Sequence, residues 1–365
     1  MWEAWRHYCC FDQGPALTHV RPSEATIQNP HALTTSGPAR LTPYTPPKAT
    51  PKQTLPREGR DSGRADRLNK GMDVPVVPRR LLDPDPVQVR RPALQAAPVI
   101  FASPHSGRSY SPDFLAASRL DPLSLRRSED SFVDELFAAA PEYGAPLIAA
   151  TFPRAFCDVN REAWELDPTM FADRLPSWVN TTSARVGAGL GTIARVVASG
   201  EAIYRTKLPF AEAERRVSTC WQPYHDMLSA LIDGTVAVFG VCLLIDCHSM
   251  PTNSQPSRAG ARAADFILGD AHGTACAPAV TVFVEKVLTD LGYVVRRNDP
   301  YAGGFITRHY GRPRQNIHAL QIEIARGLYM DENRIERLAD FAPVQRDITA
   351  LIAALSREAP ALAAG

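Results

Sequence analysis

The stretch Val241–Met250, VCLLIDCHSM, decides the fold. Its first half, Val241–Ile245, is an unbroken apolar run without alternation, the pattern of a strand buried on both faces of a parallel sheet. Asp246, Cys247, His248 and Ser249 follow at once, so ionisable side chains stand just beyond the end of that strand. In open sheets of this type, ligands collect at the carboxyl ends of the strands.

Outward from this run, Val99–Ala102, Leu147–Phe152, Phe266–Leu268, Val294–Val295 and Leu320–Ile324 read as further strands. Between them, helical spacing predicts helices over Ser131–Ala140, Ala211–Ile232, Val280–Leu291 and Ile335–Leu355. Strand and helix in alternation predict an α/β fold with a mostly parallel or mixed central sheet, covered by helices on both faces of a single domain.

The chain has 365 residues with 40 Lys and Arg against 39 Asp and Glu. A net charge near zero argues against nucleic acid as a partner and against an electrostatic hold on membranes. No apolar run is long enough to span a bilayer, and the first residues lack the charged start and apolar stretch of a secretory signal. Seven cysteines without a CxxC or disulfide-like spacing predict reduced thiols and a cytoplasmic protein. Nothing in the sequence fixes an oligomeric state.

Composition shifts near residue 72. Residues 1–71 hold ten Lys and Arg, six Asp and Glu and nine prolines, with almost no apolar periodicity. Such a segment buries too little surface to offset its ordering entropy, so it is expected to be a disordered basic tail, with Met72 as a candidate biological start. Residues 72–91 read as a linker, and residues 92–358 as the catalytic domain.

Several strand ends carry chemistry. His105 follows Val99–Ala102, His248 follows Val241–Ile245, and Arg154, Asp158, Asn160 and Arg161 follow Leu147–Phe152. Glu323 sits inside the apolar strand QIEIA, where a buried carboxylate needs either an ion pair, with Arg326, or a catalytic task. Two imidazoles and several carboxylates converging on one edge make a candidate zinc site. Asp246 would orient His248 or close a turn. Cys247 and Ser249 leave room for a thiol- or serine-dependent amidase, although adjacent residues on an extended segment point apart and no GxSxG is present. The glycines of RVGAGLGTIA, residues 185–194, fit neither GxGxxG nor GxxxxGK[ST] and read as a loop.

Six blocks occur in order: SPHSG (Ser103–Gly107), SED (Ser128–Asp130), FPRAFCDVNR (Phe152–Arg161), DCHSM (Asp246–Met250), GGFITRHYG (Gly303–Gly311) and HALQIEIARGLYMDE (His318–Glu332). Together they resemble the N-formylglutamate amidohydrolase family over about residues 95–355, and more distantly the zinc carboxypeptidases, with their phosphorylase/hydrolase-like fold. The resemblance implies a metal-dependent hydrolase that cleaves the formyl amide of an acidic N-acyl amino acid, releasing formate and L-glutamate late in histidine breakdown. It implies one zinc ion, or another divalent metal, on His105, Asp130 and His248, with Glu323 as general base and Arg154 at the oxyanion. Asn160 and Arg161 would hold the α-carboxylate, and Thr307, His309 and Tyr310 the second carboxylate. The chain departs from the carboxypeptidases in carrying Arg108 where they have a metal carboxylate. That moves the ligand to the SED block, where Glu129 can reach the same point as Asp130. SED also stands where the better-known deformylases carry TDWH. A non-catalytic binder of acidic metabolites is the reading from another class.

Overall fold

The computed structural model describes residues 85–254 and 262–362. The tail and most of the linker expected from the sequence lie outside these residues. Seven strands build the central sheet: β1 Val87–Arg90, β2 Val99–Ser103, β3 Leu147–Ala150, β4 Cys242–Met250, β5 Phe266–Gly269, β6 Val295–Arg297 and β7 Ile317–Ala325. Their order is β1-β3-β2-β4-β7-β5-β6. The central strands β3, β2, β4 and β7 are parallel. Strand β1 runs antiparallel to β3, and β5 antiparallel to β7, so the sheet is mixed. Strand β1 lies in the segment read as a linker; only four residues long and half-buried at the sheet edge, it gives a weak apolar signal.

The longest ladder joins β4 to β7 along nine pairs, from Cys242 with Ile317 to Met250 with Ala325. Strand β4 does not end at Ile245, as its apolar run predicts, but continues through Asp246, Cys247, His248 and Ser249, every one of them buried. Polar side chains inside a strand erase its apolar signal without preventing the backbone from pairing.

Each face of the sheet has its own core. One is built from Val99, Phe101, Leu243, Ile245, Leu320 and Ile322 under the helices Pro278–Asp290 and Phe341–Leu362. The other takes the residues of opposite parity, Ile100, Ala102, Cys242, Leu244 and Ala319, beneath the helical rod 210–239 and an irregular layer of loops. That rod is two α-helices, Phe210–Arg216 and Gln222–Phe239, joined by a π-helical turn at Val217–Trp221. The turn ends next to Pro223, which has no N–H for an ordinary i→i−4 bond and would crowd the carbonyl four residues back.

Two expected helices differ, one shortened and one shifted along the chain. Ser131–Ala140 holds only one turn of α-helix, Val133–Leu136, before Pro141 and Gly144 (φ 76°) redirect the chain. The last helix begins at Phe341 and not at Ile335, because Asp331 caps the N–H groups of Asn333 and Arg334 in the turn of a small hairpin. The five described cysteines are free and buried. Among the described residues, no helix is long and apolar enough to cross a membrane.

Arg216 ties the helical rod to the loop that follows β3. It is 2% exposed, donates to Glu212, to the Phe156 carbonyl and to Tyr204, and stacks on the Phe156 ring with 4.0 Å to the centroid. Removing one partner from a buried charge network leaves the others uncompensated. Arg216→Met is expected to lower unfolding stability by about 2–4 kcal/mol, read as a shift of the urea midpoint.

Candidate metal centre and acid-binding cavity

Parity within two strands places the first four side chains. Asp246 and His248 are two residues apart on β4, and Gln321 and Glu323 two apart on β7, so all four fall on one face. The register sets Asp246 beside Gln321 and His248 beside Glu323. The turn after β2 brings in His105, and the Asp130 N–H donates to the His105 carbonyl at 3.0 Å, which locks the two loops together.

Asp130 is the hub. Its Oδ2 lies 3.0 Å from His248 Nδ1 and 3.3 Å from His105 Nδ1. Its Oδ1 accepts from Arg326 Nη2 at 3.0 Å and from Ser249 Oγ at 3.4 Å. Arg326 is therefore committed to Asp130 and not to Glu323. Behind each imidazole stands a further carboxylate: His105 Nε2 is 2.8 Å from Asp158 Oδ1, and His248 Nε2 is 2.9 Å from Asp246 Oδ1. His248 Nε2 also faces Asn160 Nδ2 at 3.1 Å. Thr307 Oγ1 in turn donates to Asp246 Oδ2 at 3.2 Å.

Glu129, the alternative to Asp130, is turned away. It accepts from Tyr110, Arg126 and Ser131 and is consumed by them.

Burial raises the energy of every charge here, and the neighbours decide which survive. Burial pushes Asp130 up, but the neighbouring imidazoles of His105 and His248 outweigh it and hold the carboxyl well below its usual range. Asp158 is also held well below that range, with burial overcome by the charges of Arg154, His105 and Arg161. Burial alone would lower His248, yet Asp246 and Asp130 raise it well above an ordinary imidazole. Glu323 goes the other way: burial, with Asp130 and Asp246 nearby, lifts it to about 7 against the pull of His248 and Arg154.

A divalent cation fits these residues. One ligand atom from each of His105, Asp130 and His248 can be chosen so that all lie within 4.8 Å of one another. His105 Nδ1 is buried without a hydrogen-bond partner, since its contact with Asp130 is not aligned for one. Asp158 is hydrogen-bonded to His105 Nε2, the arrangement that orients an imidazole ligand and leaves its Nδ1 for a metal, and Asp246 stands close to His248 Nε2. Two imidazole nitrogens and a carboxylate oxygen are a donor set that zinc accepts.

A cavity of about 100 Å³ opens over this cluster, lined also by Arg154, Asn160, Arg161 and Glu323. On the same measure a single water needs about 10–15 Å³, so the space suits a small molecule. Arg154 Nη2 donates to Asp158 Oδ2 at 2.8 Å. Arg161 spends Nε on the Leu190 carbonyl and one Nη1 proton on the Asn160 carbonyl, and its Nη2 is 3.8 Å from Asp158. Asn160 Oδ1 accepts the Ile306 N–H at 2.8 Å, which turns its amino group toward His248.

The remaining expected contacts lie elsewhere. Thr307, His309 and Tyr310 belong to the short helix Phe305–Tyr310 and do not line the cavity. Thr307 supports Asp246 from behind, His309 stacks on Phe305, and Tyr310 bonds His225 at 2.9 Å. Their block reaches the cavity through its backbone: Gly303 and Gly304 form part of the wall, and the Gly304 N–H donates to Gln321 at 2.7 Å. A Cβ on Gly304 would lie 2.3 Å from Asn160 Nδ2, so only glycine lets this backbone approach. The sequence assigns no part to Gln321, Ser128 or Arg185, all in the wall, and Arg326, expected as a partner of Glu323, lines it too. The signal for Gln321 was present, because it shares the face of Glu323 two residues on.

A profile of the N-formylglutamate amidohydrolase family matches residues 97–330, a span that contains the whole cluster and cavity wall. The chain belongs to the N-formylglutamate amidohydrolase family. It is 32% identical over 238 residues to the N-formylglutamate deformylase of Pseudomonas aeruginosa, covering 64% of this chain and 83% of that one. With the N-formylglutamate deformylase of Pseudomonas putida the identity is 30%, covering 64% and 82%. The crystal structure of N-formylglutamate amidohydrolase from Ralstonia eutropha JMP134 superposes with a TM-score of 0.71 at 38% identity, covering 75% of this chain and 98% of that one. Membership of the family rests on this profile match and on the similarity to these relatives.

The paired carboxylates give a graded expectation for metal binding. Asp158→Asn removes a backing charge and is expected to weaken zinc affinity about 10–100-fold. His105→Ala removes a ligand atom and is expected to weaken it further. Competition with a chromophoric chelator measures both, and equal affinities for wild type and His105→Ala would place the metal elsewhere.

Proposed function

We propose that the protein hydrolyses the formyl amide of N-formyl-L-glutamate to formate and L-glutamate, with one zinc ion or another divalent metal held by His105, Asp130 and His248. The observation that carries this reading is a buried carboxylate, Glu323, paired in register with a residue of the two-histidine, one-carboxylate cluster, at the floor of a cavity walled by guanidinium groups. The names of the two Pseudomonas relatives support the substrate.

When bound, the cation supplies Lewis acidity that makes water a stronger nucleophile and polarises an amide carbonyl. The chain's own residues do the rest. Glu323 Oε1 is held by the Gln321 amide at 2.8 Å, which fixes the carboxylate and leaves its second oxygen to accept a proton from the attacking water. The same group returns that proton to the departing amine. Arg154 keeps its charge, because Asp158 and Asp130 raise its pKa against the effect of burial, and it stands where an oxyanion develops over the cluster. The unused Nη protons of Arg161, with the Asn160 amino group, offer donors to the α-carboxylate of the substrate.

The competing amidase reading finds little support. Cys247 lies in the core on the opposite face, its thiol donates to the Ile245 carbonyl, and burial pushes its pKa well up. Ser249 accepts from Arg326 and donates to Asp130, with no imidazole among its partners.

Release of formate from N-formyl-L-glutamate and N-formyl-L-aspartate, and of acetate from N-acetyl-L-glutamate, before and after chelation and zinc return, tests the whole reading. Activity that survives full metal removal would sink the metal assignment. Glu323→Gln is expected to keep fold and metal while kcat falls by about 10²–10⁴. Arg161→Ala is expected to lower kcat/KM for N-formyl-L-glutamate about ten- to a hundredfold. It should scarcely affect the analogue whose α-carboxylate is amidated, and equal harm to both would give Arg161 a structural role.

A further inference from the structure

The cavity wall contains four guanidinium groups, and three are spoken for. Arg154 pairs with Asp158 at 2.8 Å, Arg326 with Asp130 at 3.0 Å, and Arg161 is held by two backbone carbonyls beside Asp158. The fourth, Arg185, makes no hydrogen bond or ion pair through its side chain with any described residue, yet it lines the same cavity and is only part-exposed. Arg161, itself a cation, feels the repulsion of Arg185 as well as of Arg154. Two like charges facing one cavity, one of them unpaired, are an unfavourable arrangement until an anion enters.

The segment that carries Arg185 is built to hold it there. Ser183 Oγ accepts the Val186 N–H and starts the single helical turn Ala184–Gly187. Gly189 takes φ 77°, a conformation suited to glycine. Gly191 packs so closely on the Glu165 carbonyl that a Cβ would come within 2.2 Å of the oxygen, which makes room for Leu190 to offer its carbonyl to Arg161 Nε. The glycine-rich stretch RVGAGLG is thus fastened to Arg161 and sets the second guanidinium beside the first.

The guanidiniums also have an order. Arg154 interacts with Asp130 and Glu323 in the cluster. Arg161 interacts with Asp158, Arg185 and Arg154, and so links the other two guanidiniums. An N-acyl dicarboxylic amino acid offers three matching groups: its scissile amide and its α-carboxylate on one α-carbon, and a side-chain carboxylate joined to that carbon through one or two methylenes.

We infer that Arg185 is the specificity-determining residue that binds the side-chain carboxylate of the substrate, forming with Arg161 a two-guanidinium clamp for a dicarboxylate. This rests on the hydrolysis proposed above and replaces Thr307, His309 and Tyr310 in that task. It assigns to the glycine-rich segment the choice of an acidic over a neutral side chain.

The test compares N-formyl-L-glutamate with its neutral isostere N-formyl-L-glutamine. In Arg185→Gln, the preference in kcat/KM for the acid over the amide is expected to fall about ten- to a hundredfold, carried by KM. Arg185→Lys is expected to restore part of it, because an ammonium keeps the charge without the fork. An unchanged preference, or equal losses on both substrates, would overturn the inference. A second measurement separates it from the hydrolysis itself. Calorimetry of glutarate, whose carboxylates are spaced as in glutamate, against butyrate should show a loss in Arg185→Gln for the dicarboxylate alone. If the wild type releases no formate but glutarate binding depends on Arg185 in this way, the clamp stands and the reaction assignment falls. If glutarate and butyrate weaken equally, the clamp falls.

Discussion

A carboxylate taken out of water must find positive charge or donors within reach, and almost everything around the site follows from meeting that demand for Asp130. The residue is 1% exposed and touches two imidazoles, a guanidinium and a hydroxyl. Each partner then has its own needs: His105 is backed by Asp158, His248 by Asp246, Asp158 by Arg154, and Asp246 by Thr307. The network draws in loops from after β2 and β3, strands β4 and β7, and the turn after β7. Buried ion pairs contribute little net stability when compared with apolar packing, because desolvation offsets attraction. Their retention here fits a task in binding or chemistry better than one in holding the fold together.

The sheet supplies the precision. Nine paired residues between β4 and β7 fix the spacing of His248 and Glu323 through backbone hydrogen bonds, so neither position depends on a loop. This is the part of the site that the sequence made most legible. The apolar run Val241–Ile245 and the isolated Glu323 in QIEIA mark two central strands, and alternation alone puts Asp246 and His248, Gln321 and Glu323, on one side. Legibility fails where polar groups occupy strand positions: the apolar run ends at Ile245, although the backbone of β4 continues to Met250. Edge strand β1 is illegible for a related reason, since a half-buried strand of four residues has too few apolar positions to stand out.

Less could be read from the irregular layer between residues 151 and 209. It has no period, so a motif there states which residues are near in sequence and not which way they face. Thr307, His309 and Tyr310 sit in a conspicuous block, yet the helical turn aims them at Asp246, Phe305 and His225. Arg185 sits in a block that looks like a plain flexible loop, yet its glycines serve close packing against Glu165 and bring a guanidinium into the cavity. The identity of a residue was sufficient for the sheet-borne chemistry. The direction of a side chain was needed for the rest, and that comes only from the folded backbone.

The parity of β4 and β7 also bears on how this chain tolerates insertion and deletion. Removing one residue from the amino-terminal half of β7 would shift the strand by one position and exchange its faces. Ile322 and Ile324 would then point into the polar cluster, and Gln321 and Glu323 into the core beneath the Phe341–Leu362 helix. No compensating change of side chain at a single site repairs that exchange. The loops that carry Asp158 and Arg185 are not locked by such an alternation, so length variation among related chains should be confined there while the two central strands keep a constant count of residues.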